Sequence, residues 1–251
     1  MLNVDDLLRS CQAVVFDCAD TLLHLDPPRE VIFRDAAAEA GLELQLDDVA
    51  RAYELVDFAV KIKSSTLGSA TAKSEFYHAY NAALCAALGI RLSLEALNPV
   101  LIQRFSERHH WVAFEDAADT LRAIGKRMPV HVLANWDNGL EDIIRQAGLR
   151  DLVHDVAASA ALGAEKPDRA CFDAFLTRNA LDPARTLYIG NEYIADVVGA
   201  REAGMTPVLI DRKDRLPAAD CWRIRTLADL IPPFSKLSSM PEQRSISREL
   251  R

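Results

Sequence analysis

Four short apolar runs, each closing abruptly on a polar or acidic residue, constrain this chain more than any other feature. They are AVVFD at 13–17, VHVLAN at 130–135, TLYIGN at 186–191 and PVLID at 207–211, with a weaker fifth, HDVAAS, at 154–159. Runs of this length, rich in branched residues, read as strands buried on both faces. Helical periodicity is expected at about 115–126, 138–148, 168–180 and 194–203. Helix and strand in alternation imply a parallel sheet covered by helices on both sides and joined by right-handed crossovers. The expected fold class is therefore α/β, with a Rossmann-like parallel sheet core.

The segment 26–112 breaks that alternation. It holds the helical stretches VIFRDAAAEAGL, VARAYELVDFAVKI, SEFYHAYNAALCAALGI and SLEALNPVLIQRF and no convincing strand. An all-helical insertion after the first strand is the economical reading. The core is then expected at 1–25 and 113–231, the helical insertion at 26–112, and a flexible tail at 232–251, where proline, serine and charge dominate.

Composition narrows the function classes. The chain has 251 residues, with 29 Lys and Arg against 37 Asp and Glu, a formal net charge of −8. Basic residues are scattered, which argues against a nucleic-acid backbone or an anionic membrane as partner. No run approaches the roughly 18 to 20 apolar residues of a membrane span. The opening MLNVDDLLRS is acidic where a signal peptide would be basic, so a cytoplasmic protein is expected. The five cysteines are odd in number and widely spaced, and form no zinc-binding pattern.

In an open α/β sheet, ligands bind beyond the carboxyl ends of the strands. The first strand leads to Asp17 and Thr21, the second to Ala134, Asn135 and Asp137, the next to Lys166, and the following one to Asn191, Glu192 and Asp196. A carboxylate held at a strand end can attack an electrophilic phosphorus or carbon, giving an intermediate that water hydrolyses. Lys166 would keep that carboxylate ionised, while Thr21 and Asn135 would donate hydrogen bonds to phosphoryl oxygens. Carboxylates near the later strand suit a hard, oxygen-liganded cation such as Mg²⁺.

The ordered segments FDCADTLL, LANWDNGL, GAEKPDRACF and IGNEYIADVVGAREAGM resemble the four motifs of the haloacid dehalogenase superfamily, in the subgroup with a helical cap inserted after the first motif. The resemblance spans about residues 13–231. It implies an active site beneath the cap, with Asp17 as nucleophile, Thr21 as the phosphoryl-contacting hydroxyl and Lys166 as the basic residue. Most members of the superfamily hydrolyse phosphate esters with Mg²⁺. A minority dehalogenate 2-haloacids without metal, and another minority cleave carbon–phosphorus bonds.

Three positions depart from the pattern. Ala19 stands where the phosphatases place a second Asp as general acid and base, with Asp20 one residue late. Ala134 replaces a hydroxyl, and Asn191 replaces an anionic metal ligand. The resemblance leaves Asp17, the Ala19 carbonyl, Asn191, Glu192 and Asp196 as oxygen ligands for a weakly held Mg²⁺. Losing an acid/base group costs about 10² to 10⁴ in rate, which a substrate with a good leaving group tolerates. Lys61 and Lys63 are the lysines a phosphonatase-like Schiff base would draw on, and Arg29, Arg34 and Arg51 the arginines for a haloacid carboxylate. Phe16 and Trp136 flank the motifs as core packing. The leading expectation is a hydrolase acting on a small phosphorylated metabolite. The alternatives are a dehalogenase or phosphonatase-like hydrolase, and a catalytically degenerate binding or regulatory module. The sequence carries no signal for oligomeric state.

Overall fold

The computed structural model describes residues 4–59, 70–91, 94–108 and 110–231. Lys61, Lys63 and the expected tail at 232–251 lie outside the described residues. After the short helix α1 (Val4–Ser10), strand β1 (Ala13–Phe16) enters the centre of a six-stranded sheet. Its partners are β4 (Val130–Ala134) on one side and β6 (Thr186–Gly190) on the other. The order is β5-β4-β1-β6-β7-β8, with β5 at Asp155–Ala158, β7 at Thr206–Ile210 and β8 at Trp222–Ile224, and every pairing is parallel. The connections reverse direction at β1, and the crevice this opens at the strand carboxyl ends is where an open α/β sheet binds ligands.

Two apolar layers sandwich the sheet, and the strand residues divide between them with period two. Val14, Phe16, Val130, Val132, Leu187 and Ile189 face one layer, completed by Leu121 and Ile124 of α6 (Ala117–Gly125) and Leu140 and Ile144 of α7 (Leu140–Gln146). In α6 the buried positions 117, 120, 121 and 124 follow the spacing of one helix face. Val15, Leu133 and Tyr188 face the other layer, against Phe172, Phe175 and Leu176 of α9 (Arg169–Arg178), which follows the one-turn helix α8 (Ser159–Leu162). The Asp168 side chain caps α9 by accepting from the Ala170 N–H at 2.9 Å. Phe16 is fully buried core.

The segment 26–112 departs from expectation at its edges. Helices α2 (Arg29–Glu39), α3 (Leu46–Ala59), α4 (Ala70–Ala87) and α5 (Leu94–Arg108) pack around their own core of Phe33, Tyr53, Leu84, Leu97 and Leu101. The two chains that join them to the sheet are strands, β2 (Leu23–Asp26) and β3 (His110–Ala113), paired antiparallel. The all-helical reading is corrected there, and β8 also escaped it. These strands have four residues or fewer, too short for alternation to register. The expected helix at 194–203 is a π-helical turn, Tyr193–Val198, running into the short helix α10 (Gly199–Glu202).

Arg212, just beyond β7, fastens both joining chains. Its guanidinium donates to both Asp116 carboxylate oxygens at 3.0 Å and to the Thr21 carbonyl at 2.9 Å, and stacks 3.7 Å over the Phe114 ring.

On β4, His131 is buried between Phe175 and His154, and neither of its ring nitrogens has a hydrogen-bond partner. Burial holds its pKa below the ordinary value of 6.5, with Asp155 opposing and His154 reinforcing the shift. A base whose folded pKa is depressed binds fewer protons folded than unfolded, so stability falls as pH drops through 6.5 toward the folded value. His131→Leu is expected to flatten the pH dependence of urea-unfolding stability in that window. An unchanged profile would mean that His131 binds protons alike in the folded and unfolded chain, and so that burial does not depress its pKa.

Candidate active site

Asp17 continues β1 by one residue, its N–H still donating to the Ile189 carbonyl at 2.8 Å, so the strand itself aims the carboxylate into the crevice. The chain then folds back on itself: the Leu22 and Leu23 N–H groups both donate to the Cys18 carbonyl. Asp20 completes that turn at φ 57°, the left-handed conformation that Asp tolerates better than most residues.

Lys166 lies at the heart of the site. Its Nζ donates to Asp17 Oδ1 at 2.7 Å, to Asp196 Oδ1 at 2.6 Å and to the Tyr188 hydroxyl at 2.8 Å, so all three ammonium protons are used. Tyr188 in turn donates to the Leu133 carbonyl at 2.9 Å. Asp17, Lys166 and Asp196 are only 7%, 5% and 1% exposed. Burial pushes the Asp17 carboxyl up to about 7 against the pull of Lys166, with Asp196 adding to the rise. The two carboxylates outweigh burial at Lys166 and hold its ammonium protonated well above the usual lysine range.

Asp196 reaches this position because residue 190 is glycine. A Cβ there would lie 2.3 Å from the Asp196 carboxylate. The second Asp196 oxygen accepts from the Glu192 N–H at 2.8 Å, which fixes the π-helical turn under the site.

The structure gives two of the expected residues different occupations. Asn135 spends both ends of its amide on the Lys166 backbone, donating to its carbonyl and accepting from its N–H, each at 2.8 Å. It clasps the lysine in place, which uses one of its two amide protons while the side chain still lines the cavity. Thr21 is fully buried, and its hydroxyl faces Asn191 behind the cavity wall. Asp17, Ala19, Asp20, Asn135, Trp136, Lys166, Asn191, Glu192 and Asp196 do come together around one cavity of about 100 Å³. Trp136 lines it as well as packing edge-on to Trp111 of β3, 4.9 Å between centroids. Arg29, Arg34 and Arg51 are each paired with a carboxylate, of Asp57, Asp35 and Asp48 respectively.

Sequence reasoning passed over Tyr188 and Ser159. Tyr188 places a hydroxyl among the apolar residues of β6, and a buried tyrosine hydroxyl needs a partner. The Ser159 hydroxyl accepts from the Trp136 N–H at 3.1 Å and so anchors the loop after β4. Nothing in the sequence pattern marked it.

The donor set suits a hard cation with few anionic ligands. Asp17 Oδ2, the Ala19 carbonyl and the Asn191 amide converge, with separations from the inner amide atom of 3.2 and 3.0 Å. Each Asp196 oxygen already accepts one hydrogen bond, from Lys166 and from the Glu192 N–H. Among the described residues no group of three or more His, Cys, Asp or Glu is placed to hold a metal. A cation at this point would be held by Asp17, a carbonyl and an amide, with water completing its shell.

The parallel sheet thus carries a buried Asp–Lys–Asp cluster at the carboxyl end of its central strand. The chain belongs to the haloacid dehalogenase-like hydrolases, whose family model matches residues 11–204. It is 31% identical to haloacid dehalogenase-like hydrolase domain-containing protein 3 of Bos taurus, over 82% of this chain and 84% of the relative. It is 34% identical to the glyceraldehyde 3-phosphate phosphatase of Methanothermobacter thermautotrophicus over a shorter stretch, 28% of this chain and 31% of that one. Its fold is that of the HAD hydrolase YfnB from Bacillus subtilis, solved bound to magnesium, with a TM-score of 0.70 at 19% identity over 90% of this chain and 99% of the other. Among the described residues, no helix is long and apolar enough to cross a membrane.

Replacing Lys166 by Met would leave Asp17 and Asp196 buried without their cation. Breaking a buried ion pair from one side costs roughly 3 to 5 kcal/mol, and urea unfolding of Lys166→Met is expected to show a loss of that order. A far smaller loss would mean that the cluster is solvated.

Proposed function

We propose that the protein is a cytoplasmic phosphohydrolase acting on a small phosphorylated metabolite, with Asp17 as nucleophile and Mg²⁺ as its cation. One observation carries the reading: a carboxylate at the end of the central strand, ion-paired to a fully committed buried lysine, on the wall of a small cavity. The phosphatase among the relatives supports the same reaction class.

In this reading an Asp17 oxygen forms a bond to phosphorus as the ester P–O bond breaks, and water later hydrolyses the aspartyl phosphate. Lys166 pulls Asp17 toward its ionised form against burial, orients it, and opposes the negative charge of the phosphoryl group. Mg²⁺, held by Asp17, the Ala19 carbonyl and Asn191, would supply further positive charge against the phosphoryl oxygens. Helices α2–α5 act as the cap that closes the site, and the Arg29–Asp57 pair belongs to that cap.

Ala19 has no proton to give the departing alkoxide. Asp20 lines the same cavity and is the nearest carboxyl in sequence to that position. Substrates whose leaving group departs without protonation, such as acyl or aryl phosphates, fit the site best.

The experiment is a screen of the purified protein against alkyl, aryl and acyl phosphates, phosphonates and 2-haloacids, with and without Mg²⁺. Activated phosphates are expected to turn over with Mg²⁺, and Asp17→Asn to abolish the activity because an amide is a far poorer nucleophile. Asp17→Asn turnover within about tenfold of wild type would overturn covalent catalysis by Asp17. Turnover of haloacids alone would replace the phosphatase reading.

Ala19→Asp is expected to raise alkyl phosphate hydrolysis by up to about 10² to 10⁴ and aryl phosphate hydrolysis little, since only the alkoxide needs a proton. If wild type already hydrolyses alkyl phosphates well, Asp20→Ala should remove that activity selectively.

A further inference from the structure

Asn191 has an amide whose two orientations offer opposite chemistry to the same three oxygens. One position of that amide lies 3.0 Å from the Ala19 carbonyl, 3.1 Å from Thr21 Oγ1 and 3.2 Å from Asp17 Oδ2. If Oδ1 occupies it while Asp17 is ionised, only the Thr21 hydroxyl can supply a proton. The carbonyl and the carboxylate then face a third acceptor with nothing between them, in a site where Asp17 is 7% exposed and Thr21 fully buried. Unmade hydrogen bonds between buried acceptors are costly. If Nδ2 occupies the position, the Ala19 carbonyl, Thr21 Oγ1 and Asp17 Oδ2 all lie within reach of its two protons, one of them shared. For the protein alone, the amide settles with nitrogen inward.

The oxygen-inward arrangement has a different remedy. An octahedral cation with bonds near 2.1 Å sets neighbouring ligands about 3.0 Å apart. The separations of 3.0 and 3.2 Å from the Ala19 carbonyl and Asp17 Oδ2 are of that size. A positive charge would therefore do for these oxygens what the amide protons do in its absence.

We propose that the Asn191 side-chain amide is a two-position cap: its nitrogen satisfies Asp17 and the Ala19 carbonyl when no cation is present, and its oxygen turns inward when one binds. The second position rests on the Mg²⁺ reading given under the proposed function, and the first stands without it. An aspartate at 191 would have no donor to offer. It would place a third carboxylate beside Asp17 and Asp196, with only Lys166 to balance them. Asn191 gives up cation affinity for a metal-free site that is internally satisfied.

The test uses the full chain. Thermal melting of wild type and Asn191→Asp is followed in EDTA and in excess MgCl₂, and Mg²⁺ binding by calorimetry. Wild type is expected to be the more stable in EDTA and to gain little from MgCl₂. Asn191→Asp is expected to melt lower in EDTA, to recover with MgCl₂, and to bind Mg²⁺ roughly tenfold or more tightly, because a full negative charge then touches the cation.

A second measurement needs no variant. In wild type labelled with ¹⁵N-asparagine and assigned through the backbone, the Asn191 side-chain NH₂ protons should exchange slowly with water in EDTA. They should shift and exchange faster when Mg²⁺ saturates the site. Fast exchange in EDTA, or an Asn191→Asp protein as stable as wild type there, overturns the cap. An NH₂ signal unmoved at saturation, or no Mg²⁺ binding to either protein, overturns the second position. A protein that passes these tests yet hydrolyses no phosphate would defeat the phosphohydrolase reading and leave the cap standing.

Discussion

The Lys166 ammonium is the interaction on which the rest of the site depends. Burying a charge that deeply costs several kcal/mol unless opposite charges and hydrogen bonds offset it, and here every proton has an acceptor. Those acceptors come from different parts of the chain: Asp17 from the end of β1, Tyr188 from within β6, and Asp196 from the π-helical turn after β6. Through Tyr188 the network also reaches the Leu133 carbonyl of β4. The three central strands of the sheet are thus joined at one polar point, and the carboxylate that faces the cavity is oriented by the fold before any ligand arrives. Asn135 acts one step back, fixing the Lys166 backbone so that its side chain needs no search.

Seen against that cluster, the three departures from the family pattern share a direction. Ala19, Ala134 and Asn191 each carry no charge where the pattern has a polar or anionic group. With Asp17 ionised, Asp17 and Asp196 against Lys166 leave one negative charge in the buried cluster, and Glu192 beside them is held toward its neutral form by burial and by Asp196. A third aspartate would double that charge in a low-dielectric setting, where a metal would be needed to hold the site together. This chain avoids that dependence with an amide.

Much of this was legible in the sequence, for a physical reason. Strands buried on both faces need continuous apolar runs, and AVVFD, VHVLAN and TLYIGN carry that signature openly. The strand ends then locate Asp17, Lys166 and Asp196 without any contact information. What stayed hidden depends on pairing across distance. The β2–β3 ribbon joins residues nearly ninety positions apart through strands too short to show a period, and β8 is a three-residue edge. Thr21 and Asn135 were placed at the right edge of the sheet, but the protein groups they bond to were not legible there. A hydroxyl or an amide says nothing in sequence about whether it faces a ligand or the backbone of its own protein, and the clasp of Asn135 on Lys166 spans 31 residues.

The ribbon also decides how the helices α2–α5 relate to the chemistry. Phe114 follows β3 and hydrogen-bonds the Leu22 carbonyl at the start of β2, while Arg212 lies over its ring and holds Thr21 and Asp116 at once. Asp116 is further held by the Leu227 N–H at 2.8 Å. On the cavity side Trp111 of β3 meets Trp136, which follows Asn135 directly. Both joining chains are therefore held to the sheet, the first within a few residues of Asp17 and the second through Asp116 and through Trp111, whose ring meets the residue after Asn135. The ribbon is mechanically part of the core. A displacement of the helical segment that reached its base would have to pull on Thr21 and Trp136, and so on the residues that set the geometry of Asp17 and Lys166.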